Sequence, residues 1–79
     1  MAKISVKKMK KQDKARYSIQ EEVEARYSTF EKDGERYFQI DTYGRSDRIE
    51  VEKSSQIIQL DKQSAKDLIK LLIKEFNIL

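Results

Sequence analysis

The chain has 79 residues, 39% of them charged, with a formal net charge of +3, two glycines, and no proline, cysteine or histidine. A chain of this length buries only about 60% of its unfolded surface, so it usually needs a staple. With disulfides and His or Cys metal and haem sites excluded, association with a second subunit is the staple left over. We therefore expect a homodimer.

Charge is unevenly placed. Residues 1–16 hold seven cations against Asp13, a net of +6, and residues 17–79 carry −3. Lys7, Lys8, Lys10 and Lys11 make residues 1–14 a basic N-terminal arm or edge strand, the edge running through Ile4 and Val6. Such a segment is either a polyanion contact or a solvated terminus. No apolar run reads as a signal peptide or a membrane span. The expectation is a cytoplasmic protein with no membrane association, its residues 15–79 forming one domain.

Ala15-Arg16-Tyr17-Ser18 recurs as Ala25-Arg26-Tyr27-Ser28, ten residues on. An even offset keeps both copies on one strand face, so one long bent strand or two strands are possible, beside plain coincidence. Asp33-Gly34 between β-rich runs predicts a two-residue type I′ hairpin, whose central positions both need positive φ. The register follows outward from Lys32 opposite Glu35. Phe30 then faces Tyr37, Tyr27 faces Ile40, Arg26 faces Asp41 and Glu24 faces Tyr43. One strand face carries Val23, Ala25, Tyr27, Thr29, Phe38, Ile40 and Thr42. The other carries Glu24, Arg26, Ser28, Phe30, Tyr37, Gln39, Asp41 and Tyr43.

Gly44 ends the second strand, and Arg45-Ser46-Asp47-Arg48 reads as an exposed loop. A third strand is predicted over Ser55–Leu60, with Ile49 and Val51 as a candidate backward extension. Asp61 then caps a helix in which Ala65, Leu68, Ile69, Leu72 and Phe76 recur at helical spacing, opposite Lys62, Lys66, Lys70 and Lys74. Leu71, Ile73, Ile78 and Leu79 fall outside that stripe. Together with Phe76 they are the expected dimer interface. The fold class is α+β: an antiparallel β-meander of three to four strands followed by one C-terminal amphipathic helix.

No catalytic residue, metal site or cofactor is expected. There is no His base, Cys nucleophile or Gly-rich phosphate loop, and carboxylates such as Asp41, Glu50 and Glu52 lack an enclosing structure. The polar sheet face is the candidate site. Arg26, Phe30, Tyr37, Tyr43, Arg45 and Arg48 combine aromatic rings with cations, the composition of a stacking platform for unpaired bases. The basic arm would add phosphate contacts. The competing readings take Phe30 and Tyr37 as a cross-strand pair that merely stabilises the hairpin, or as part of the dimer interface.

Tyr37-Phe38-Gln39-Ile40-Asp41-Thr42-Tyr43-Gly44, Ser46-Asp47-Arg48 and Ser55-Gln56-Ile57-Ile58-Gln59-Leu60-Asp61, followed by Ala65, Leu68, Leu72 and Phe76, resemble a family of small bacterial proteins of unassigned function. Some of these are labelled methionyl-tRNA formyltransferase-like. The resemblance spans roughly residues 22–76. It departs at Glu50-Val51-Glu52-Lys53, where the family carries a Gly-containing turn. The label implies no formyl transfer, which requires a large folate-binding domain. The order of elements also resembles the PC4-like single-stranded DNA-binding coactivators. That resemblance implies a homodimer built with the C-terminal helix and nucleic acid bound on the sheet face. A protein-binding module, such as a phage or mobile-element inhibitor acting through its sheet edge or helix, is the alternative expectation.

Overall fold

A computed structural model of the chain describes residues 1–44 and 54–79. Arg45, Arg48, Asp47, Ile49, Glu50, Val51, Glu52 and Lys53, singled out above, lie outside the described residues. The fold is α+β: a four-stranded mixed sheet and one C-terminal helix.

Asp33 (φ 53°) and Gly34 (φ 79°) take the two positive-φ positions of the turn between β2 (Ala25–Lys32) and β3 (Glu35–Thr42). Lys32 lies opposite Glu35, and the pairing runs without a slip to Ala25 opposite Thr42. The turn chemistry thus sets the register of the whole hairpin. β4 (Gln56–Asp61) pairs antiparallel with β3, from Tyr37 opposite Asp61 to Thr42 opposite Gln56.

β1 (Ala2–Lys3) completes the sheet in the order β1-β4-β3-β2 and pairs parallel with β4, Ala2 opposite Ile58 and Lys3 opposite Gln59. The sheet is therefore mixed, and the antiparallel meander is limited to β2, β3 and β4. A parallel neighbour needs a long connection, and β1 has the intervening hairpin to supply it. The edge strand expected through Ile4 and Val6 is also shorter than the sequence reading. Ile4 N–H still donates to the Gln59 carbonyl at 2.9 Å, but Val6–Lys8 turns into a single 3-10 turn. There the Val6 N–H donates to the Ser64 hydroxyl at 3.1 Å, a bond that a continuing strand would not permit.

Helix α1 (Lys62–Phe76) starts directly at the end of β4. Asp61 is its N-cap, accepting the Ser64 N–H at 2.8 Å, and Asn77 closes it in the left-handed region at φ 52°. The cap holds the Asp61 carboxyl below its ordinary range, chiefly through that backbone N–H, with the nearby Lys3 charge as a smaller contribution.

The helix lies against β4 and β3, and the 3-10 turn packs beside it. Among the described residues, Val6 and Leu60 are the buried apolar side chains, with Ser64 buried between the elements they come from. Strands alternate faces, so Leu60, Ile58, Phe38, Ile40 and Tyr27 share the face the helix covers. Cover is incomplete: Tyr27 is 74% exposed although its ring stacks on Phe38 at 5.4 Å.

The apolar stripe expected to be core divides. Ala65 and Leu68 are half-buried, whereas Ile69, Leu72 and Phe76 are exposed; Leu71, expected outside the stripe, is half-buried. The reason is that Val6 and Met9 approach the helix from the Leu71 side and draw its inner face toward themselves. Residues 9–24 form neither helix nor strand, and the first copy of the Ala-Arg-Tyr-Ser repeat falls in this stretch. Its Tyr17 hydroxyl accepts the Lys14 N–H at 2.9 Å, a local contact with no sheet partner.

Candidate functional site

The sheet face opposite the helix is built by alternate residues of each strand: Arg26, Ser28 and Phe30 from β2, Tyr37, Gln39 and Asp41 from β3, Ile57 and Gln59 from β4, and Lys3 from β1. Tyr43, just past β3, continues the same alternation; its N–H donates to the Glu24 carbonyl at 2.8 Å.

Four of the predicted side chains meet there. Phe30 and Tyr37 stack with ring centroids 5.2 Å apart and planes 22° from parallel. Arg26 lies over the Tyr43 ring at 4.7 Å from its centroid. The same guanidinium donates to Glu24 at 2.8 Å, which fixes its plane along the strand. Lys3 Nζ stands over the Tyr37 ring at 5.7 Å. Cations over tyrosine faces contribute about 0.5–1 kcal/mol each at exposed sites.

Between the aromatic pairs runs a polar ladder. Gln59 Nε2 donates to Gln39 Oε1 at 2.8 Å, and Gln39 Nε2 donates to Asp41 Oδ1 at 2.8 Å. Ser54 Oγ donates to Asp41 Oδ2 at 2.7 Å. Both Asp41 oxygens are thus satisfied, and these two bonds, Gln39 first, hold its carboxyl below the ordinary range against a smaller opposing effect of desolvation. The face presents amide groups and one fixed carboxylate at its centre, flanked by rings and cations. Such a surface suits hydrogen bonding to heterocycle edges and stacking better than it suits a continuous phosphate track.

The arm lysines go elsewhere. Lys7 and Lys8 lie in the 3-10 turn beside the helix, and Lys11 pairs with Glu75 of α1 at 3.4 Å. Lys10, Lys11, Val6, Met9, Asp67, Leu71 and Glu75 line a groove of about 380 Å³ between the N-terminal segment and the helix. These cations therefore sit across the sheet from Tyr37. Of the residues expected at a dimer contact, Leu71 is half-buried in that groove, Ile73 is half-buried, and Phe76, Ile78 and Leu79 are exposed. Sequence reasoning passed over Lys3, Gln59 and Ser54. Lys3 is brought in by a pairing 56 residues away, for which the local sequence carries no signal.

Among the described residues, no group of three or more acidic, His or Cys side chains is placed to hold a metal ion, and no helix is long and apolar enough to cross a membrane. Comparison with protein-family models, with curated proteins and with solved structures gives no match to this chain.

Proposed function

We propose that this chain is a non-catalytic, cytoplasmic nucleic-acid-binding protein, homodimeric, taking single-stranded DNA or RNA on its open sheet face. The observation that carries this reading is the pair of cation-over-tyrosine contacts, Arg26 on Tyr43 and Lys3 on Tyr37, on the one face of the sheet that the helix leaves open. Each pairs a stacking surface with a positive charge, as unpaired bases and their phosphates require. The Gln59–Gln39–Asp41 ladder supplies donors and acceptors between them. This use of a sheet face is that of the single-stranded DNA-binding coactivators the element order resembles, and Arg45 and Arg48 belong to the same proposal.

Fluorescence anisotropy with labelled single-stranded and duplex oligonucleotides, at two salt concentrations, tests it. Single strands should bind in preference to duplex, and Tyr37→Ala/Tyr43→Ala should lose on the order of tenfold or more, since each stacked base is worth ~1–3 kcal/mol. Lys3→Ala should reduce the logarithmic salt slope by about 0.7, the value of one phosphate on a single strand. Absence of binding to either oligonucleotide at low salt refutes this reading. It would leave the second one, a protein-binding module, which the β2 edge, met by no strand of the described residues, favours.

A further inference from the structure

Strand β2 ends the sheet, and all eight of its residues are exposed. The hairpin fixes which of its backbone groups are already used. A two-residue turn closes on a hydrogen-bonded pair, here Lys32 and Glu35, and Tyr43 N–H to Glu24 C=O marks another pair of the same kind. Residues 24, 26, 28, 30 and 32 therefore bond toward β3, and residues 25, 27, 29 and 31 turn their N–H and C=O groups outward. No strand of the described residues meets them. An edge this long, without proline, is a template for another strand.

We propose that a second copy of this chain occupies that edge, β2 pairing antiparallel with the partner's β2 about a two-fold axis at Ser28 to give one eight-stranded sheet. This deepens the proposed function and rests on it in one respect: it makes the two open faces a single platform.

The register follows from symmetry and charge. An axis perpendicular to the sheet keeps both open faces on one side, and then opposed residues must have the same parity. Centring on Thr29 pairs only residues 26–32 and sets Arg26 against the partner's Lys32, a like-charge contact. Centring on Ser28 pairs residues 24–32. Glu24 then faces the partner's Lys32, and Arg26 faces the partner's Phe30, so both cross-strand contacts are favourable. The outward groups of residues 25, 27, 29 and 31 become the hydrogen-bonded pairs of the new ladder. Each aromatic face thereby gains the partner's Phe30 beside its own Arg26, and is incomplete without it.

One further observation fits a second copy. On the covered face, helical rotation of about 100° per residue puts Ile69, Leu72 and Phe76 on the flank turned away from the 3-10 turn, toward β3 and β2. That flank and Tyr27 are exposed, and the two-fold sets them opposite their counterparts.

The chain has no cysteine, so one introduced thiol per copy reads the geometry directly. At the axis, Ser28 meets itself as a non-hydrogen-bonded pair, with Cα atoms about 4.5 Å apart. That is within the range a disulfide spans. The expected results are a sedimentation-equilibrium mass of twice 9.4 kDa for the unaltered chain and rapid disulfide linkage of Ser28→Cys by an added copper–phenanthroline oxidant, which takes the two electrons. Lys32→Cys, whose two copies lie at opposite ends of the paired strands, should stay unlinked. A monomeric mass, or linkage of Ser28→Cys no faster than of Lys32→Cys, overturns the proposal. Oligonucleotide binding is read separately on the linked dimer. A linked dimer without affinity refutes the nucleic-acid reading alone, and a monomer with affinity refutes the pairing alone.

Discussion

Replacing Ser64 with alanine removes one oxygen and tests how the first eight residues are held to the rest of the fold. Ser64 is 5% exposed, and its hydroxyl accepts the Val6 N–H at 3.1 Å across 58 residues of sequence. In the variant that N–H stays buried with no acceptor, at a cost of about 1–3 kcal/mol. Alanine recovers part of this through better helix propensity, at most about 0.5 kcal/mol near a helix start. The net loss is then about 1–2 kcal/mol. For a domain of this size that lowers the unfolding midpoint by roughly 5–10 °C, compared at one fixed protein concentration because the proposed association would also shift the midpoint. The site of the loss should be visible as well. Amide hydrogen exchange at Val6 should speed up by far more than exchange in the β2–β3 hairpin, and Ser64→Thr, which keeps the hydroxyl, should restore much of the protection. If Ser64→Ala moves the midpoint by less than ~1 °C and leaves Val6 protected, the docking of the N-terminal segment does not depend on this bond and the reasoning fails.

Gly34 sits at φ 79°, and a Cβ added there would meet nothing within 4 Å, so Gly34→Ala encounters backbone strain alone and should cost about 1 kcal/mol by urea denaturation. Asp33→Asn, at φ 53°, should cost nothing measurable, since Asn-Gly suits the same turn. Asp41 and Asp61 are both held below their ordinary value of 3.8. The unfolded chain therefore binds more protons in acid, so their contribution is full above that value and is lost as pH falls through the folded values. Thermal midpoints should hold from neutral pH to about pH 5 and drop below about pH 4, less steeply in an Asp41→Asn/Asp61→Asn variant. Asn77, at φ 52° beyond the last helical turn, should accept glycine with a small gain in melting temperature; a loss would mean that its side chain contributes more than its backbone conformation.

The parts of this fold legible from the sequence are those that local chemistry specifies. Asp33-Gly34 determines a turn type, the turn determines a register, and the register sorts Arg26, Phe30, Tyr37 and Tyr43 onto one face. Asp61 likewise signals a helix start through a bond only three residues long. What escaped depends on distant partners. Lys3 joins the aromatic face because β1 pairs with β4 from the far end of the chain, and nothing in Ala2-Lys3 names that partner. The division of the helix surface depends on Val6 and Met9, which approach beside Leu71, outside the continuous stripe, and leave Ile69, Leu72 and Phe76 exposed. Hydropathy spacing marks which helix residues seek cover and is silent on which of them find it. For the same reason the arm lysines, contiguous with Lys3 in sequence, end up on the other side of the sheet.

The parallel pairing of β1 with β4 also imposes an order on folding. The β2–β3 hairpin closes on near neighbours and can form while the chain is still being made. Ala2, Lys3 and Val6 must wait for Ile58, Gln59 and Ser64, partners 56 to 58 residues further along the chain. Loop closure over that distance is slow relative to hairpin formation. During synthesis, then, the basic N-terminal segment stays undocked until β4 and the first turn of α1 have been made, because they carry the groups it binds.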